Sequence, residues 1–151
     1  HLGRAVVALN DADAAGIAEV AYGAAKGRGG VIVFTTQGTG IGSAIIVNGT
    51  LLTNTELGHL EIDGTDAEKN ASSGQKTLQG LSWEQWAQRL QRYYSHVEFL
   101  LNPDLFVVGG GVSENHEKFM PLLKLKTPMI PAKLLNTAGI VGAAYYAAQN
   151  S

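Results

Sequence analysis

Four short stretches of this 151-residue chain combine residue types at spacings suited to chemistry. Asn10-Asp11 places an amide beside a carboxylate where an apolar run over residues 6–9 gives way to a helical pattern. A carboxylate at a strand's carboxyl end lies where ligands bind in open α/β sheets. It could accept a proton from a hydroxyl while the amide held a neighbouring one. Taken alone, the pair reads first as a plain helix cap. Thr35-Thr36-Gln37-Gly38-Thr39-Gly40-Ile41-Gly42 sets hydroxyls and glycines between two strand-like runs, so that backbone N–H groups can approach an anion. With no helix following, it is neither a P-loop nor a dinucleotide fingerprint, and a glycine hairpin is the alternative. In Glu56-Leu57-Gly58-His59, a carboxylate and an imidazole can hold vicinal hydroxyls from one loop. Gly109-Gly110-Gly111 leaves a flat surface for a phosphate chain or nucleotide, or simply turns a strand into a helix.

The elements that must position these residues follow from pattern. A strand is expected over residues 6–9, then a helix to about Lys26, capped by Asn10-Asp11-Ala12-Asp13. Strands are expected over residues 31–36 and 43–47, with Asn48-Gly49 as a hairpin turn before residues 50–52. Residues 53–80 read as a long, polar, structureless loop. Ser82 and Gln85 form a capping box for a helix whose apolar positions are Trp86, Leu90, Tyr93, Val97 and Leu101, stopped by Pro103. A strand over residues 105–108, a shorter helix over about 114–122, an extended stretch over 124–130 and a small-residue helix over 138–148 complete the chain. Pro128 and Pro131 confine the extended stretch to an edge or a loop. Trp83, Trp86, Tyr93 and Tyr94 read as core, and His96 and His116 as helix surface. The result is one α/β domain over residues 1–151 with a mixed sheet and flanking helices.

Composition narrows the function. A net charge of −2 offers no basic field for nucleic acid or an anionic membrane. The absence of cysteine removes disulfides, thiolate zinc sites and cysteine nucleophiles together. No apolar run reaches the roughly 18 residues of a membrane span. A reducing cytosol is compatible, and the cytoplasm is the expected compartment. The opening His1-Leu2-Gly3-Arg4 reads as a chain entered midway rather than as a signal peptide.

Five motifs in order, LNDADAAG, TTQGTGIGSA, ELGHLEID, FVVGGGVS and AGIVGAA, span nearly the whole chain and resemble the ROK family of sugar kinases and repressors. Within that family the wording is closest to the polyphosphate-using glucokinases. The resemblance implies an actin-like, RNase-H-like lobe. It also implies phosphoryl transfer to the 6-hydroxyl of glucose from polyphosphate, ATP or both with Mg2+, with mannose as an alternative acceptor. It makes Asp11 the base and Asn10, Glu56 and His59 sugar ligands. Ala67-Glu68-Lys69-Asn70-Ala71-Ser72 matches the place of a further sugar-binding glutamate, Glu68. Thr36, Gly38, Thr39 and Gly40 match the second phosphate motif, and Gly109, Gly110 and Gly111 lie near the nucleotide. The cysteine cluster of many members is absent, so no zinc is expected. An N-terminal lobe with an Asp-x-Gly-Gly-Thr loop is expected from the rest of the protein or a second chain, and a homodimer is the expected assembly. Lys124, Lys126 and Lys133 could track polyphosphate, a solvated edge being the alternative. A sugar-sensing repressor domain and an inactive remnant compete with the kinase. The Asn10-Asp11 pair favours the kinase, because a sensor needs no base.

Overall fold

The computed structural model describes residues 9–134 and 138–150. The strand expected over residues 6–9 lies, apart from Leu9, outside the described residues, as do the opening four. The β-branched run Val31–Gln37 forms β1, Ile41–Val47 forms β2 and Thr50–Leu52 forms β3. Asn48 and Gly49 both adopt positive φ in the turn between β2 and β3, as a tight hairpin requires. Two short strands, β4 (Glu61–Ile62) and β5 (Thr65–Asp66), make a separate hairpin. β6 (Leu105–Gly109) and β7 (Met129–Pro131) complete the main sheet in the order β3-β2-β1-β6-β7. β1 runs antiparallel to β2 and parallel to β6, and β7 is the parallel edge strand that tolerates Pro131.

Alternation along the strands divides the core. Val33, Ile45, Phe106 and Val108 face one side, where they meet Trp86, Leu90, Tyr93, Tyr94 and Val97 of α4 (Trp83–Leu101). Ile32, Phe34, Ala44, Ile46, Leu105 and Val107 face the other. There they meet Ile17 of α1 (Asp11–Tyr22) and Tyr145 and Tyr146 of α5 (Ala138–Gln149). The Ser82–Gln85 capping box is present, and Asn102 ends α4 in the left-handed conformation before Pro103. Trp86 is fully buried and its indole N–H donates to Ala71 O at 2.9 Å. Among the described residues, no helix is long and apolar enough to cross a membrane.

Several expectations need correction. α1 stops at Tyr22 rather than near Lys26, because Gly23 leaves helical geometry and donates its N–H to Glu19 O. The segment over residues 53–80 is not structureless. It holds a one-turn 3-10 helix (Leu57–His59), β4, β5, α2 (Ala67–Ala71) and α3 (Ser73–Leu78). Each is too short for periodicity to reveal it, and the caps Asp66 and Ser72 carry the order. Instead of a helix over residues 114–122, 3-10 turns run over Gly111–Lys118 and Met120–Leu122, with Pro121 in the second. Of the stretch 124–130 only its end is strand.

The helices on the α1 face touch closely. A Cβ on Gly142 of α5 would collide with the Ala14 carbonyl of α1. Gly142→Ala is therefore expected to destabilise the protein by roughly 1–3 kcal/mol, as overpacking does. Urea denaturation should show a lower midpoint with an unchanged slope.

Candidate functional site

The carboxyl end of the sheet gathers the chemistry. Asn10 caps α1, its Oδ1 accepting from Asp13 N–H at 2.7 Å, which leaves its amide N–H2 for another partner. Asp11 follows as the first helical residue and is exposed. Asn10 and Asp11 line a cavity of about 230 Å3 together with Thr36 of β1, Gly42 and Ser43 of β2, and Thr55 and Glu56. A second cavity of about 230 Å3 is lined by Thr36, Gly109, Gly110, Gly111, Glu114, Glu19 and Ala132, among others. Thr36 is the residue common to both. In the ladders it pairs with Gly42 on one side and Gly109 on the other, so its flanks carry no competing side chain.

Neither cavity is held open by chance. Gly110 takes φ 90°, and a Cβ there would collide with the Gln37 carbonyl, so the glycine turn lies flat against the end of β1. Thr35 and Gln37 point to the α4 side. The Thr35 hydroxyl lies 2.7 Å from the Tyr94 hydroxyl, and Gln37 Nε2 donates to the same oxygen at 3.4 Å. Glu19, 1% exposed, accepts from the N–H groups of Ala24, Lys133 and Leu134 at 2.7, 2.8 and 2.7 Å, which ties the segment after β7 to α1.

The loop that carries Glu56 is fastened twice. Asp13 is fully buried, and its Oδ2 accepts from Asn54 N–H at 2.9 Å. Ser43 Oγ donates to Thr55 O at 3.1 Å and accepts from Leu57 N–H at 3.0 Å. Glu56 then starts the turn that ends at His59.

His59 and Glu68 do not line the Asp11 cavity; they form an adjoining group. His59 Nδ1 lies 2.9 Å from Asp66 Oδ2 and 3.7 Å from Glu68 Oε1. Glu68 Oε2 accepts from Ile41 N–H at 2.9 Å, and its carboxylate occupies the space that a Cβ on Gly40 would need. The turn Gly38-Thr39-Gly40 thus lies beside Glu68 and α3, where Gly74 N–H donates to Gly38 O at 2.8 Å. It lines neither cavity. Ligand atoms of His59, Asp66 and Glu68 all lie within 4.8 Å of one another, a spacing a metal ion could use.

The lysines divide. Leu125 packs on the core while Lys124 and Lys126 are exposed, so the two share an outward face. However, β7 runs parallel to β6, and Met129 pairs with Phe106. Lys124 and Lys126 therefore precede the amino-terminal ends of these strands, whereas Gly109–111 follows the carboxyl end. The idea of a track leading from Gly109–111 through Lys124 and Lys126 is corrected by this direction. Lys133 lies past the carboxyl end of β7, on the cavity side.

Residues that sequence reasoning missed are Asp13, Ser43, Thr55, Asp66 and Glu19. Asp13 alone had a local signal, as the second acid of an Asx run. The others act through partners distant in the chain.

The model of the ROK family matches residues 1–77. The chain belongs to the ROK family. A polyphosphate glucokinase of Mycobacterium tuberculosis is 52% identical over 142 residues, covering 94% of this chain and 54% of that protein. A polyphosphate glucokinase of Mycobacterium leprae is 53% identical over 139 residues, covering 92% of this chain and 43% of that protein. The crystal structure of an inorganic polyphosphate/ATP-glucomannokinase from Arthrobacter sp. strain KM superposes with TM-score 0.92 at 55% identity, over 99% of this chain and 59% of that one. The fold alone is shared with a ROK family glucokinase from Streptomyces griseus in complex with glucose and AMPPNP, at TM-score 0.76 and 23% identity, over 98% of this chain and 70% of that one. The chain spans about half the length of the curated relatives it matches.

Burial raises the pKa of Asp13, and the neighbouring Glu56 charge adds to this against the Asn54 N–H, which lowers it. The folded state therefore holds this proton to higher pH than the unfolded state does. The associated stability is complete below the ordinary carboxylate range and is lost as pH rises through the folded value. Asp13→Asn keeps an acceptor for Asn54 N–H and removes the charge. The variant should gain stability relative to the parent at pH 7 and lose that gain near pH 3, measured as the difference in urea midpoints.

Proposed function

We propose that this chain is the part of a ROK-family hexose kinase that binds glucose and supplies the base for phosphoryl transfer from polyphosphate or ATP to the sugar 6-hydroxyl. The observation that carries this reading is the shared wall at Thr36. The cavity with the free carboxylate of Asp11 and the cavity floored by Gly109–111 meet at that one residue. A sugar held by Asn10 and Glu56, with His59 and Glu68 from the adjoining group, would place a hydroxyl at Asp11. A phosphate chain against Gly109–111, with Gly38, Thr39 and Gly40 at the neighbouring turn, would place its terminal phosphorus across Thr36.

In the reaction the hydroxyl oxygen forms a bond to that phosphorus as the bond to the bridging oxygen breaks. The hydroxyl proton passes to Asp11, and the shortened chain leaves with the electron pair. The transition state is loose, so positioning and charge stabilisation matter more than a strong base. Mg2+ accompanies the donor phosphates as part of that substrate. Lys133, exposed and next to Ala132 of the second cavity, would supply a cation to an anionic donor. Closure and in-line geometry need the N-terminal lobe from the rest of the protein or a second chain. Mannose as an alternative acceptor, a homodimer and a cytoplasmic setting belong to the same proposal.

Asp11→Asn tests it. In the complete kinase, kcat with either donor should fall by roughly 10²–10⁴-fold, the usual worth of a general base. Glucose affinity from equilibrium titration should change by less than about threefold, because neither cap nor cavity wall is lost. A kcat near that of the parent removes Asp11 from the mechanism. Glucose binding by the parent with no turnover on either donor would favour a sugar sensor instead.

A further inference from the structure

His59 closes the turn that begins at Glu56, and one nitrogen of its ring is already engaged. Nδ1 faces Asp66 Oδ2 at 2.9 Å. Asp66 ends β5, and the hairpin register pairs it with Glu61, so the chain doubles back and returns a carboxylate to the imidazole seven residues upstream. Other contacts hold Asp66 in place. Its Oδ1 caps α2 by accepting from Glu68 N–H at 3.3 Å. Asp63, in the hairpin turn at φ 55°, accepts two hydrogen bonds of 3.0 Å from Arg92 of α4. The carboxylate is thus placed by a register, a cap and a tie to the long helix.

A ring nitrogen that faces a carboxylate carries the proton, and the other nitrogen of the neutral ring becomes the acceptor. Nε2 makes no hydrogen bond among the described residues, and the His59 side chain is 54% exposed.

We infer that Asp66 is the positioning residue for His59, fixing its tautomer and ring plane through Nδ1 so that Nε2 is presented as an acceptor to a sugar hydroxyl. The identity of the ligand rests on the glucose-kinase reading; the tautomer does not. The groups facing the ring are all acidic. The Asp66 hydrogen bond, then the charges of Glu68, Asp66 and Glu56, hold the His59 pKa above its ordinary value against the opposing effect of burial. Asp66 is held below the ordinary carboxylate range, first by the same bond. A cation held by His59 Nδ1, Asp66 and Glu68 would have to displace the Nδ1 proton.

Two variants separate orientation from charge. Asp66→Ser keeps a cap for α2 but is too short to reach the imidazole. Asp66→Asn keeps both the cap and an acceptor for Nδ1–H while removing the charge. Imidazole ¹⁵N spectra of the chain, recorded across a pH titration, report the tautomer and the midpoint of His59. In the parent and in Asp66→Asn the neutral ring should be protonated at Nδ1, with a lower midpoint in the Asn variant. In Asp66→Ser the neutral ring should populate the Nε2–H tautomer. In the complete kinase, Asp66→Ser should raise KM for glucose roughly tenfold, the scale of one charge-assisted hydrogen bond, with kcat changed less than about twofold. Asp66→Asn should restore KM to within about threefold of the parent. An unchanged tautomer in Asp66→Ser overturns the role of Asp66 whatever the enzyme phosphorylates. A changed tautomer with an unmoved KM overturns the link to the sugar and with it the placing of His59 at the acceptor.

Discussion

Strand pairing at Thr36 is the constraint on which the rest depends. β1 is antiparallel to β2 and parallel to β6, and in both ladders this residue has a glycine opposite, Gly42 on one side and Gly109, the last pair of the parallel ladder, on the other. A parallel pair brings two carboxyl ends together, and an antiparallel pair brings an amino end to the same edge. The turn between β1 and β2 and the turn after β6 therefore lie at the same end of the sheet, on either side of Thr36. Gly42 lies so close that a Cβ there would stand 2.7 Å from Thr36 Cγ2 and 3.0 Å from Ala12 Cβ. The glycines let α1, with Asp11 at its start, approach the sheet edge.

The buried polar groups cluster toward the same edge. Asp13, Ser43, Thr35 and Gln37 are each under 3% exposed, and each gains partners from an adjacent loop or from α4. Burying such groups is unfavourable unless hydrogen bonds replace water. Here the bonds hold loops that have little apolar surface of their own. The opposite end of the sheet has no comparable set of buried polar groups among the described residues beyond Thr127, which bonds Pro103 O. Rigid apolar strands fix the edge, and polar clamps fix the loops upon it.

α4 couples the two kinds of order. Its buried face fills the core through Trp86, Leu90, Tyr93, Tyr94 and Val97. Along its length it bonds Ala71 O through Trp86, Asn70 O through Arg89 and Asp63 through Arg92. Those three contacts anchor the segment from β4 to α3, whose elements are too short to be stable alone. The order of the Glu56–Glu68 region thus depends on a helix distant in sequence.

The sequence by itself determined the strands β1, β2 and β6, the helix α4 with its cap and stop, and the hairpin at Asn48-Gly49. Each has a local cause: β-branched runs, apolar spacing of 3.6, a Ser82–Gln85 box and a positive-φ turn. Asn10-Asp11, Glu56 and Thr36 were legible as chemistry because their types and glycine neighbours are unusual together. Tertiary structure decided which of them meet. Period and propensity carry no information on strand order, so only the β1–β6 pairing could place Gly109–111 against Thr36. Only the direction of β7 could separate Lys124 and Lys126 from that edge. Asp66 and His59 are joined by a two-residue-strand hairpin that no pattern signals, and Glu19 holds Lys133 and Leu134 across more than a hundred residues. A local pattern records what a residue can do, whereas a contact between distant residues arises only when packing removes the alternatives.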